Sequence, residues 1–223
     1  MTLVSYTLPC HKRANDLMAT LPSVIAAAKE HPPVELVIAD YGNDTPLSGL
    51  VAQLLEDTDA GVSVLVRWVD RDYFHMAHAR NVGLRAASGD IVVAFLADQL
   101  VTPDFFKVIR EQLEPGTFLK WFETFVFWRT DIVEAGGFDE RFEFYGPEGK
   151  ELTDRLQRRG LRVKPIPKQV VNQIPTPDHE KVKHYREKLS KHQMHARGMA
   201  IWEENRAAGI TVANPSGDWG LCA

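Results

Sequence analysis

From Leu3 to Asp104 the chain alternates short apolar runs with segments of helical period, and this alternation limits the fold more than any other feature. Leu3–Leu8, Val34–Ala39, Val62–Val69 and Asp90–Ala97 are rich in Val, Ile and Leu over the length of a strand. Asp16–Lys29, Pro46–Glu56 and Phe74–Ala87 carry apolar residues three and four apart. A further helix is predicted after Thr102–Pro103, a cap followed by proline at the first helical position. Strands alternating with helices predict an α/β fold, a mostly parallel, Rossmann-like sheet with helices on both faces. Pro9 should end the first strand for want of an N–H, and Pro22 should kink or split the first helix. Gly89 should accept the left-handed backbone that closes the third helix.

After Pro115–Gly116 the pattern changes. Phe118–Trp128 reads as an aromatic strand, Glu148–Arg159 as an amphipathic helix ended by Gly160, and Leu161–Val171 as a proline-interrupted edge strand. Asp178–Arg206 is predicted as one long charged helix, with Val182, Tyr185, Leu189, Ala196 and Met199 on a single stripe. Such an arm packs on the domain or on a second copy of the chain as a homodimer; alternatively its basic face meets an anionic acceptor or a membrane surface. A net charge of -4 gives no overall footprint for nucleic acid, and Cys10 and Cys222 are too few for a disulfide framework. The start lacks a signal-peptide pattern and no apolar run reaches membrane-spanning length, so a cytoplasmic protein without an integral membrane segment is expected.

Chemistry concentrates where the strands end. His11-Lys12-Arg13 follows the first, Asp40 the second and Asp98 the fourth. In a parallel sheet these ends face one crevice. A carboxylate there can hold Mg²⁺ or Mn²⁺ across two phosphates, lysine and arginine can pair with phosphate, and Asp40 can accept a hydrogen bond from a base or ribose. Neither a P-loop nor a GxGxxG turn is present. The combination suits a nucleoside-diphosphate sugar.

Several of these stretches resemble GT-A glycosyltransferases, nearest to glycosyltransferase family 2, the β-1,4-galactosyltransferases and the polypeptide N-acetylgalactosaminyltransferases. The resemblance covers about residues 3–171. LPCHKRANDL is similar to the family's opening strand and loop, and ELVIADYGNDTP stands at its Asp-Asp-Gly-Ser turn. FHMAHARNVGLRAASGD is similar to ARNxGLxxAxGD, and GGFDERFEFYGPEGKELTDRLQRRG to GGFDExFxGWGxEDxELxxRLxxxG. It implies a GT-A catalytic domain over 1–175, with a nucleotide-sugar half at 1–104 and an acceptor-side half at 105–175, and a C-terminal helix and tail over 176–223.

The activity implied is divalent-metal-dependent transfer from a nucleotide-diphosphate sugar, a UDP-sugar first, to a hydroxyl of a saccharide, glycolipid or other acceptor. Pro9, His11, Arg13, Asp40, Tyr41, Arg80, Asn81, Ala97 and Asp98 would bind the donor, with Tyr41 stacking on its base. Trp128, Gly137, Tyr145 and Gly146 would face the acceptor. Asp98 would ligate Mn²⁺ or Mg²⁺, joined by His179 where relatives place a histidine near Gln173. The departures are specific: Leu96 and Gln99 replace acids around Asp98, and Gly149 replaces the Asp that serves inverting members as general base. Glu148 is expected to act in its place, or Glu151 one turn on, with inversion favoured over retention. His75 and His78 read as helix-face residues near the donor, and the aromatics of Phe118–Trp128 as core, one or two of them forming a platform for a sugar ring. The alternative is a decayed GT-A domain that binds without turnover.

Overall fold

In the computed structural model, which describes residues 1–58 and 62–222, strand β1 (Val4–Cys10) is buried along its whole length at the interior of the sheet. A strand covered on both faces reads as a continuous apolar run, which is why this segment is legible in the sequence. Parallel neighbours flank it, β2 (Val34–Tyr41) and β4 (Ile91–Ala94), and β3 (Ser63–Val69) lies outside β2. Helices α1 (Ala14–Glu30), α2 (Leu47–Thr58) and α3 (Met76–Ala86) connect them. The sheet continues with β7 (Thr124–Trp128), antiparallel to β4, then β6 (Thr117–Trp121) and β8 (Arg162–Pro165), giving the order β3-β2-β1-β4-β7-β6-β8. A small second sheet pairs β5 (Gln99–Val101) with β9 (Val171–Gln173). Helices α4 (Phe105–Gln112), α5 (Arg129–Glu134), α6 (Glu148–Arg158), α7 (Asp178–Val182) and α8 (Lys191–Ala207) complete the fold. Ile91 and Val93 join the core on one face of the sheet, Val92 and Ala94 the core on the other, as period-two alternation requires.

Several local expectations are corrected. β1 runs through Pro9 to Cys10, paired with β2, because the ladder to β4 has already stopped at Thr7–Ala94 and one side of the strand needs no further N–H. Pro22 lies inside an uninterrupted α1. Gly89 has no positive φ; it is required by close approach, since a Cβ there would lie 2.7 Å from the Leu3 carbonyl oxygen and 2.8 Å from Ser5 Oγ. Thr102 does not cap α4, whose cap position is Asp104. Phe118–Trp128 is a hairpin, turning at Phe122, which adopts φ 49°, and at Glu123. The long helix predicted over Asp178–Arg206 is two helices, because Ser190 and Gln193 form a capping box that starts α8 afresh. Between them Tyr185 is buried and bridges to Phe74, while Ala196 on the predicted stripe is exposed. The arm's buried residues Met194, Gly198 and Asn205 face this chain's own domain, where Gly198 abuts Pro147 and Phe142. Among the described residues no helix is long and apolar enough to cross a membrane.

Candidate functional site

The loop after β4, the start of α3, the β6–β7 turn and the start of α6 enclose a cavity of about 280 Å³ whose walls include Arg80, Asp98, Glu123, Tyr145 and Glu148. A smaller cavity of about 60 Å³, walled by Pro9, His11, Arg13, Ala97 and His184, shares Phe74, Met76, Leu96 and Lys181 with it. Both are covered by the C-terminal arm, through Lys181 and Tyr185 over the larger and Glu180 and His184 over the smaller.

Asp98 is almost fully buried just beyond β4. Its Oδ2 accepts hydrogen bonds from Arg13 (3.0 Å), Gln173 (3.2 Å) and Thr176 (3.0 Å). Its Oδ1 is buried without a hydrogen-bond partner. Gln99, which stands where a further acid was expected, instead ties the loop together, its Oε1 accepting from the Leu96 N–H and from Thr124 Oγ1. Among the described residues no three His, Cys, Asp or Glu gather into a metal-ligand set. A single carboxylate with one free oxygen still fits a hard divalent cation that completes its shell with phosphate oxygens and water. His179 is not brought to it: the side chain is 77% exposed at the start of α7, with Nε2 3.4 Å from Glu180.

Across the cavity, Arg80 of α3 is buried between aromatic rings, its guanidinium 4.8 Å from the Phe138 centroid. None of its side-chain nitrogens has a hydrogen-bond partner, and its nearest opposite charge is Glu123 Oε2 at 3.5 Å. Glu148, at the start of α6, is buried with Oε2 unpartnered. Burial pushes its pKa up to about 8, and the neighbouring Glu123 charge adds to the rise against the opposing Arg80. Buried polar atoms without protein partners on a cavity wall are free to meet a polar ligand.

The other expected residues separate from this group. Asp40 is a structural cap: Oδ1 accepts from Asn43 (2.6 Å) and Oδ2 from the N–H of Leu47 at the start of α2, and neither cavity includes it. Tyr41 is fully buried with its hydroxyl 3.0 Å from His78 Nδ1, so it offers no free face to a base. In its place His11 stacks on Phe74 at 5.3 Å beside the smaller cavity, its pKa lowered by burial. Asn81 is spent on the backbone of Phe138, at 2.8 Å in both directions, and Gly137 (φ 68°) packs against Asn81 and Trp219. Trp128 lies at the far end of β7, donating to the Glu114 carbonyl oxygen. Glu151 is fully buried in an ion pair with Arg155 and reaches no cavity wall. His75, at the N-cap of α3, and His78, on the helix, are both buried, with the His75 pKa lowered to about 3 by burial.

Sequence reasoning missed Glu123, Lys181 and Tyr185 on the cavity wall and Thr176 on Asp98, whereas Phe122 belongs to the aromatics expected as core or as a platform. The one local signal was Glu123 itself, an acid inside the aromatic run FLKWFETFVFW. Phe122 stands 69% exposed at the cavity rim, the aromatic of that run which presents an open face.

Comparison with known proteins bears on the fold and the family. No curated protein matches the chain by sequence. A mannosyltransferase from Pyrobaculum calidifontis, solved with GDP-Man and Mn²⁺, superposes with a TM-score of 0.64 at 19% identity, over 78% of this chain and 57% of that one. Staphylococcus aureus TarS with UDP-GlcNAc gives 0.64 at 14% identity over 98% and 70%, and a Drosophila β-1,4-galactosyltransferase 7 mutant with manganese, UDP-Gal and xylobiose gives 0.61 at 16% over 87% and 79%. These likenesses establish the GT-A fold. The chain thus spans little more than half the length of the mannosyltransferase. Residues 124–187 match the profile described as the N-terminal domain of galactosyltransferase. Residues 5–121, more than half of the sequence, match that of glycosyl transferase family 2, and the chain belongs to that family.

Proposed function

We propose that the chain transfers a sugar from a nucleotide-diphosphate sugar, a UDP-sugar first, to an acceptor hydroxyl with inversion at the anomeric carbon. The observation that carries this reading is one cavity walled both by Asp98, which Arg13 holds from the wall of the smaller cavity, and by the Glu148–Glu123 pair with Arg80. Inversion needs the acceptor's proton taken up opposite the leaving diphosphate, and the carboxylate pair on the cavity wall would take it up. Arg13, paired with Asp98, is a fixed positive charge for the diphosphate, favourable where negative charge develops as the sugar departs. Phe122 and Tyr145 supply apolar faces for a sugar ring. Asp98 would hold Mn²⁺ or Mg²⁺ through Oδ1, and the ion, when bound, neutralises charge on the departing diphosphate. The solved neighbours bound to GDP-Man, UDP-GlcNAc or UDP-Gal, two of them with manganese, support the choice of donor class and metal.

A thermal-shift screen of UDP-, GDP- and dTDP-sugars, with and without Mn²⁺, tests the assignment, and metal-dependent stabilisation by a nucleotide sugar is the expected result. No such stabilisation by any donor would favour the alternative of a domain that binds without turnover. Asp98→Ala is expected to abolish the Mn²⁺-dependent part of UDP affinity measured by calorimetry. Full affinity in Mn²⁺ would sink the metal assignment.

A further inference from the structure

Gly149 occupies the second position of α6 and has no positive φ, so its backbone does not demand glycine. A side chain there would meet Glu123. A Cβ built on Gly149 would lie 2.2 Å from Glu123 Oε2 and 2.8 Å from both Cδ and Oε1. The carboxylate delivered by the β6–β7 turn therefore fills the space into which any acid at position 149 would project. Its Oε2 is buried and has no hydrogen-bond partner.

The other acids of the cavity are committed. Asp98 Oδ2 is held by Arg13, Gln173 and Thr176. Glu148 is enclosed by protein, and burial favours its protonated form at neutral pH. Glu123 lines the cavity with its side chain 41% exposed and Arg80 3.5 Å away as counter-charge. Lys120, on the same hairpin, donates to Thr153 Oγ1 at 2.9 Å and holds the hairpin against α6.

We propose that Glu123 is the general base of the transfer, supplied from the β6–β7 turn to the position that Gly149 leaves open. The assignment rests on the transferase reading above. In the step, the acceptor oxygen bonds to the anomeric carbon and its proton passes to the Glu123 carboxylate. The bond from that carbon to the donor's phosphate oxygen breaks, and the electron pair leaves with the nucleoside diphosphate.

Water serves as acceptor in the test, so the natural acceptor need not be known. Release of nucleotide from UDP-GlcNAc, UDP-Gal and GDP-Man is followed for the wild type and variants, with UDP affinity measured in parallel by calorimetry. Glu123→Gln is expected to lower release by about a hundredfold or more while UDP affinity stays unchanged. Glu123→Ala should be as slow, and adding Gly149→Asp to it should restore release by about tenfold or more, because the new carboxylate enters the vacated space. A merely structural Glu123 would not be rescued by an acid on a different element. Wild-type release rates in Glu123→Gln, or no gain on adding Gly149→Asp, would overturn the assignment and leave the transferase reading intact. A wild-type protein that neither binds UDP nor releases nucleotide from any donor would overturn the transferase reading, and this assignment with it.

Discussion

Replacing Glu151 by alanine is expected to destabilise the fold by about 3–5 kcal/mol, the largest effect of any single change considered for its stability. Glu151 and Arg155 are both fully buried, one turn apart on α6, with Nε–Oε1 at 2.9 Å and a second contact to Oε2 at 3.0 Å. The guanidinium also donates to the carbonyl oxygens of Ala135 and Gly137, and Asn205 of α8 donates to Glu151 Oε1 at 3.1 Å. One ion pair thus joins α6, the Gly136–Gly137 turn and the C-terminal arm. Deleting the carboxylate strands a guanidinium in the core, and the cost is that of an uncompensated buried charge rather than of the pair itself. Replacing both residues by methionine should therefore cost less than Glu151→Ala alone, a non-additivity read from urea midpoints of the single and double variants. An unchanged midpoint in Glu151→Ala would mean that the arm and the turn are held by other contacts.

This pair also marks the limit of what the sequence disclosed. Local period exposed the strands and most helices, because β1, β2 and β4 are covered on both faces and α6 on one. The GGFDE and ARN stretches located the crevice. They did not say which side chains turn into it. Asn81, expected at the donor, closes on Phe138 from within α3, and Asp40 caps α2, because each side chain meets a backbone N–H that would otherwise lack a partner. The partners of Asp98 lie 85, 75 and 78 positions away, at Arg13, Gln173 and Thr176, where no local pattern connects them. Glu123 was hidden for the same reason: its meaning depends on a hairpin placing it against Gly149 of another element. The arm was misread because one residue, Ser190, ends a charge pattern that otherwise continues.

Stability is expected to fall as pH rises from about 5 to 8, by about 3–5 kcal/mol from Glu148 alone. Its pKa, raised by burial and by Glu123 from 4.5 to about 8, means that the native state keeps a proton which the unfolded chain releases. The contribution is fully present below the unfolded value and is lost as pH climbs through the folded one. The groups facing Glu148 do not reverse the sign. Glu123 raises the pKa further, Arg80 opposes it with less effect than burial, and Tyr145 and Tyr185 are themselves raised above their usual range by burial. Lys120 belongs to the same cluster, its pKa lowered by burial and raised by both acids. His75 acts at the other end of the scale: buried neutral, with a pKa near 3, it withdraws stability as pH falls from 6.5 towards that value. Urea midpoints of the wild type from pH 5 to 9 should therefore decline on the alkaline side. In Glu148→Gln, where the amide mimics the protonated acid, that decline should be much reduced. A slope that survives the substitution would place the retained proton on another group and return Glu148 to an ordinary carboxylate.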